Sequence, residues 1–325
     1  MPDLTGIDIS IVAPAYNEAA SIDVFYERVS KVLETLGMGA ELIFVNDGST
    51  DDTLAKLLNH QRNDARIVII DLSRNFGKEI ALTAGLDAAR GRAAIPIDTD
   101  LQDPPELIPE LVAAWKKGYR IVNARRISRK GETVLKRVTA SVFYRLIQRF
   151  NRQIQIPANV GDFRLIDRQA LDAINSMRER HRFMKGIFSL VGFNQTFVDY
   201  KRDQRHAGKT SFNYWKLWNL SLEGITSFTT LPLRMFVYLG LCVAMMSFAY
   251  GSYILIKAAF FGDPVAGFPT LFVTVTFLGG VQLVGLGVIG EYLGRVFNET
   301  KQRPLYFIDT VYKSGEANSE VSICN

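Results

Sequence analysis

The sequence predicts an α/β protein: a mostly parallel sheet with flanking helices, then amphipathic interface helices and a two-helix transmembrane hairpin. Three observations carry this. Short apolar runs alternate with segments of helical period through the first third of the chain, as in parallel sheets with crossover helices. Polar and carboxylate-rich clusters follow the apolar runs, where such sheets bind ligands. Residues 235–256 and 268–289 contain no charged side chain. Setting those 44 residues aside, the other 281 carry all 71 charges, about 25%, the ordinary value for a soluble domain. This composition excludes disorder and collagen-like repeats, and two cysteines in 325 residues exclude a disulfide scaffold.

In chain order, residues 7–13, 41–46, 66–72, 93–97 and 120–124 read as short buried strands. Helices fall at about 19–36, 51–61, 78–90 and 106–117. Asp51-Asp52-Thr53 opens the second and Pro104-Pro105-Glu106 the fourth, both ordinary helix-entry signals. Met235–Ile256 and Phe268–Ile289 are each 22 residues, roughly 33 Å as helices and enough to cross a bilayer. Arg234 precedes the first span, and Arg295, Lys301 and Arg303 follow the second, so both ends of the hairpin are expected on the cytoplasmic side. No basic stretch followed by an apolar core opens the chain, which agrees with a cytoplasmic catalytic domain. The expected organisation is a soluble domain at 1–210, interface helices at 211–233, the two spans at 234–290 and a cytoplasmic tail at 291–325.

Two motifs mislead. Gly37-Met38-Gly39 precedes a strand, whereas a dinucleotide fingerprint follows one. Gly208-Lys209-Thr210 lacks the leading strand and first glycine of a P-loop. Three histidines with no nearby cysteine give no zinc spacing. The informative cluster is Asp98-Thr99-Asp100-Leu101-Gln102-Asp103, after the fourth strand. Read as extended chain, Asp98, Asp100 and Gln102 share one side. Two carboxylates and an amide oxygen are hard ligands suited to Mg²⁺ or Mn²⁺.

These residues resemble family 2 glycosyltransferases of the GT-A fold, of the polyprenyl-phosphate sugar synthase type. Bacterial bactoprenol glucosyl transferases are the nearer match and dolichyl-phosphate mannose synthases the more distant. The resemblance rests on Pro14-Ala15-Tyr16-Asn17-Glu18, Val45-Asn46-Asp47-Gly48-Ser49-Thr50-Asp51 and Leu72-Ser73-Arg74-Asn75-Phe76-Gly77-Lys78-Glu79. It continues through Asp98 to Pro105, Gly161-Asp162-Phe163-Arg164-Leu165 and Gly290-Glu291-Tyr292-Leu293-Gly294-Arg295. It implies that Pro14, Tyr16, Glu18, Val45 and Asp47 hold the nucleoside, and that Asp98 and Thr99 contact the nucleotide. It implies that Asp98, Asp100 and Gln102 hold the metal on the diphosphate. Arg125, after the fifth strand, is placed to reach the donor phosphates. Asp162 and Asp100 are the implied catalytic carboxylates. Since a phosphate monoester is mostly deprotonated at pH 7, Asp162 is expected to orient hydroxyls as much as to act as a base.

The implied acceptor is polyprenyl phosphate, with Arg202, Arg205 and Lys209 for its phosphate and UDP-glucose as the first-choice donor. The family motif Arg-x-x-Gly-x-Ser/Thr-Lys departs here, with Ser211 in place of the final Lys. Residues 125–152 hold nine basic side chains against Glu132, a stripe that attracts anionic headgroups. The neighbouring apolar spans favour membrane over nucleic acid as its partner. Ser211–Phe228 carries Tyr214, Trp215 and Trp218 and reads as a helix at headgroup depth. The resemblance also implies a bacterial inner-membrane protein and a homo-oligomer, a tetramer. The rival readings are a processive polysaccharide synthase and a non-catalytic nucleotide-sugar sensor. The first lacks its Gln-x-x-Arg-Trp motif here, since no tryptophan follows an arginine.

Overall fold

The computed structural model describes residues 6–127, 159–201 except 181 and 183, and 267–314, with scattered positions between 236 and 260. The chain forms two compact units, one holding residues 1–148, 152–212 and 303–325 and the other residues 149–151 and 213–302.

The first unit is built on an eight-stranded sheet. Its strands are β1 (Ile9–Ala15), β2 (Ala40–Asn46), β3 (Ile67–Leu72), β4 (Ala93–Pro96), β5 (Ile121–Arg126), β6 (Val160–Asp167), β7 (Gln195–Tyr200) and β8 (Ile308–Tyr312). The spatial order is β7-β5-β6-β4-β1-β2-β3-β8. β1 to β4 are mutually parallel, β5 and β7 pair in parallel, and β6 and β8 run against their neighbours. Because β6 is reversed, its beginning lies at the same edge as the carboxyl ends of β1 to β5.

Helices cover both faces, which is why β1 to β4 are near-continuous runs of Val, Ile and Leu instead of alternating patterns. The period of two still sorts the side chains. Ile9, Ile11, Leu42, Phe44, Ile67 and Ile69 pack under α1 (Ile22–Leu36), α2 (Thr53–Asn63) and α4 (Ile108–Lys116). Val12, Ile43, Val45, Val68 and Ile70 pack under α3 (Lys78–Ala88), α5 (Arg168–Ser176) and α6 (Met184–Leu190). Gly85 lets α3 approach closely, since a Cβ there would lie 2.3 Å from Val12 Cγ1. This close seating brings the start of α3 to the carboxyl edge.

All five strand readings from sequence agree with the structure to within two residues, β5 running on to Arg126. β6, β7, β8, α5 and α6 are additions. β8 changes the expected organisation. Within the segment read as a tail, Ile308–Tyr312 pairs antiparallel with β3, Ile70 opposite Val311, and Tyr306 is buried among the α3 and α5 side chains.

In the second unit, α7 runs unbroken from Phe268 to Thr300, past residue 290, where the span was expected to end. Among the described residues it contains the one segment long and apolar enough to cross a membrane, Phe277–Thr300. Leu283, Val284, Leu286, Ile289 and Leu293 are exposed on it. The first expected span is described only at scattered helical positions. Residues 211–233, with Tyr214, Trp215 and Trp218, lie outside the described residues.

Candidate active site

The loops after β1 and β2 lock onto each other. Asn17, at φ 53, accepts the Thr50 N–H on Oδ1 at 2.8 Å, and its own N–H donates to Ser49 Oγ at 3.0 Å. The Glu18 N–H donates to Thr53 Oγ1 and the Ala19 N–H to Asp51 Oδ2. Gly48, at φ +64, is pressed so close to Arg74 and Asn75 that a Cβ would lie 2.6 Å from their backbone. Only glycine fits that approach.

Beside it, Asp47 is buried and accepts the Phe76 N–H at 2.7 Å and the Gly77 N–H at 2.9 Å. Burial pushes its carboxyl above the ordinary range, and the two amides offset this only in part. Its visible role is to clamp the β3–α3 loop. Tyr16 is nearly half exposed at this edge, and Glu18 Oε2 accepts from Ser21 Oγ.

Three other residues expected to bind donor are turned to other tasks. Val45 is fully buried in the core beneath α3. Thr99 is buried and its Oγ1 donates to the Pro14 carbonyl at 3.4 Å, tying the ends of β4 and β1 together. Arg125 forms a two-pronged pair with Asp199 of β7, at 2.6 and 2.9 Å, and its guanidinium lies over Phe197. Its neighbour Arg126, on the opposite face of β5, bonds Tyr200 and Asp103. Since Tyr200 also donates to Asp103, this trio pins the end of the 98–103 segment.

That segment is a turn and not the extended chain expected. Leu101 adopts φ 60 with its side chain buried, and the Gln102 N–H donates to Asp100 Oδ1 at 3.1 Å. A left-handed residue turns the chain at Leu101, so the alternation of an extended strand does not apply across Asp98, Asp100 and Gln102. Among the described residues, no three His, Cys, Asp or Glu side chains cluster as metal ligands. The donor chemistry nevertheless fits Mg²⁺ or Mn²⁺. Asp98, Asp100 and Gln102 supply oxygens only, and all three are partly exposed at the strand ends.

The densest charge lies between β4 and β6. Lys78, first residue of α3, donates to Asp98 Oδ2 at 2.6 Å, and its Nζ is 3.0 Å from Asp162 Oδ2. Nearly half of the Lys78 side chain is exposed, so the burial that works against its charge is partial, and Asp98 and Asp162 outweigh it and raise its pKa. Burial would push Asp162 up, yet Lys78, Lys185 and Arg164 hold it below the ordinary carboxylate range. Asp162 Oδ1 is buried with no hydrogen-bond partner among the described residues. Arg164, two residues along β6, is fully buried over the Phe188 ring and is pushed down to about 10 by that burial. Glu79 accepts the Met184 N–H at 3.0 Å, and burial, reinforced by the Asp162 charge, pushes it up to about 7.

Residues 10–174 match the family described as glycosyl transferase family 2, and residues 231–296 match the GtrB C-terminal hairpin. The chain belongs to glycosyl transferase family 2. Its mostly parallel sheet is the GT-A arrangement expected from sequence. It is 52% identical to an uncharacterized glycosyltransferase of Synechocystis, over 94% of this chain and 96% of that one. A prophage bactoprenol glucosyl transferase homolog of Escherichia coli is 48% identical, over 94% and 99% of the two chains. The bactoprenol glucosyl transferase of Shigella phage SfV is 49% identical, over 92% and 97%.

Sequence reasoning did not single out Lys78, Glu79 or Arg126. Lys78 and Glu79 stood in a quoted motif, and their position at a helix start after a strand was the available signal. Arg202, Arg205 and Lys209 lie outside the described residues.

Proposed function

We propose that this glycosyltransferase moves glucose from UDP-glucose to a polyprenyl phosphate at the inner face of a bacterial membrane. The observation that carries this reading is identity of 48–49% to bactoprenol glucosyl transferases and a homolog over nearly the whole of both chains. The match to a C-terminal hairpin family and the exposed apolar face of α7 support a membrane acceptor.

In this reading an acceptor phosphate oxygen attacks the anomeric carbon, the new C–O bond forms on the opposite face, and the bond to the diphosphate breaks. The electron pair leaves with UDP, so no proton need be removed from a phosphate already ionised at pH 7. Asp162, held ionised with one oxygen unpartnered among the described residues, orients hydroxyls of the sugar or acceptor. Tyr16 and Glu18 line the nucleoside side. Asp98, Asp100 and Gln102 would hold Mg²⁺ or Mn²⁺, which neutralises charge on the leaving diphosphate. Arg202, Arg205 and Lys209 receive the lipid phosphate, and the chain works as a homo-oligomer.

The full chain in vesicles, given undecaprenyl phosphate and a panel of radiolabelled nucleotide sugars, tests the reading. UDP-glucose is expected to give the fastest transfer to lipid. Faster transfer from UDP-galactose or an aminopentose donor would reassign the sugar, and no lipid product from any donor would overturn the acceptor.

A further inference from the structure

β4 and β6 pair only through Ala93–Asp167 and Ala94–Ile166. Towards the carboxyl edge that ladder ends, leaving Asp98 after one strand and Asp162 near the start of the other. The Lys78 ammonium closes the gap, 2.6 Å from one carboxylate and 3.0 Å from the other. We infer that Lys78 is a positioning residue for sugar transfer, holding the donor-side carboxylate Asp98 and the acceptor-side carboxylate Asp162 in one fixed frame. The inference rests on the transfer reaction proposed above.

Two features set this bridge apart from an ordinary surface ion pair. Each carboxylate lies at the end or start of a different strand, so one cation fixes the relative placement of two elements without direct backbone pairing there. And Asp162 uses only Oδ2 on Lys78, leaving Oδ1 buried without a partner among the described residues. A buried carboxylate oxygen left open is costly unless something else will meet it. Lys78 therefore fixes the direction in which that oxygen is presented. The ammonium is itself held from below. Lys78 is the first residue of α3, whose preceding loop is clamped by Asp47 and whose second residue, Glu79, accepts the Met184 N–H. The same ammonium neutralises Asp98 before any divalent cation arrives, so it competes with a cation for that oxygen.

Two measurements on the full chain test this. In the first, Lys78→Met should lower kcat at least about 100-fold while donor KM moves by less than about threefold, the pattern of a misplaced reacting group. Lys78→Arg should recover part of the loss, and propylammonium should restore Lys78→Ala in a saturable way. Undiminished kcat, or a loss that no amine rescues and that follows a fall in Tm, would overturn the positioning role. The second needs no turnover. Mn²⁺ binding without nucleotide, followed by electron paramagnetic resonance, should tighten about tenfold in Lys78→Met, because one competing charge is gone. Unchanged Mn²⁺ affinity would overturn the placement of Lys78 on Asp98. If wild type transfers no sugar to lipid, the substrate reading fails, and the Mn²⁺ titration still decides for or against Lys78.

Discussion

Asp47 and Asp162 are both largely enclosed aspartates at the same sheet edge, yet their carboxyls are shifted in opposite directions. Burial of Asp47 outweighs the two backbone N–H groups it accepts and the more distant Arg74 charge, so its pKa rises. Asp162 meets Lys78, Lys185 and Arg164, and their charges reverse the effect of burial. Asp47 is thus a clamp whose oxygens are matched by the Phe76 and Gly77 N–H groups. The gap between β4 and β6 is a charged device with an open oxygen. Substitution of Asp47 should act on folding, and of Asp162 on turnover.

The sharpest way to break the contrast is Asp162→Asn, which keeps the shape and removes the charge. Transfer is expected to fall at least about 100-fold in kcat with donor KM nearly unchanged, as for a group aimed at the reacting centre. Steady-state kinetics at saturating lipid would show it. A variant that keeps its kcat would mean that Asp162 serves only to balance the charges of Lys78, Lys185 and Arg164.

Asp47→Ala probes the other side. It strips the acceptors from the Phe76 and Gly77 amides, each worth about 1–3 kcal/mol if left buried and unpaired. A clear drop in Tm is expected, read by thermal unfolding in detergent. Loss of UDP affinity with Tm unchanged would instead make Asp47 the nucleoside ligand that the sequence implied.

How much of this was legible in advance follows from where burial and charge agree. β1 to β4 are apolar on both faces, so their runs stand out. β6 was missed because Asp162 and Arg164 interrupt its apolar pattern, although Arg164 is fully buried. β8 was missed because nothing local shows that Ile308–Tyr312 will pair with a strand far earlier in the chain. The carboxylates of the 98–103 segment were found, but the turn was not. A bulky residue such as Leu101 gives no local warning of a left-handed backbone. Arg125 was chosen over Arg126 because sequence does not show which face of β5 meets the 98–103 loop. Lys78 reads alone as a solvated residue at a helix start, and only the fold brings Asp98 and Asp162 to it.

The smallest effect concerns Glu79, where the two regions meet. Its folded pKa of about 7 lies above the ordinary glutamate value of 4.5, so between those pH values the folded state holds a proton that the unfolded state has lost. Stability therefore declines as pH rises through that window, and the full penalty for ionising the buried carboxyl is present above pH 7. Glu79→Gln keeps an oxygen for the Met184 N–H and removes the charge facing Asp162. Measured from pH 5 to 8, wild-type Tm should fall by a few degrees more than that of Glu79→Gln, with the variant ahead at pH 8. Parallel curves would show that the Glu79 charge is compensated in the folded state, with Lys78 and Lys185 the nearby cations able to do so.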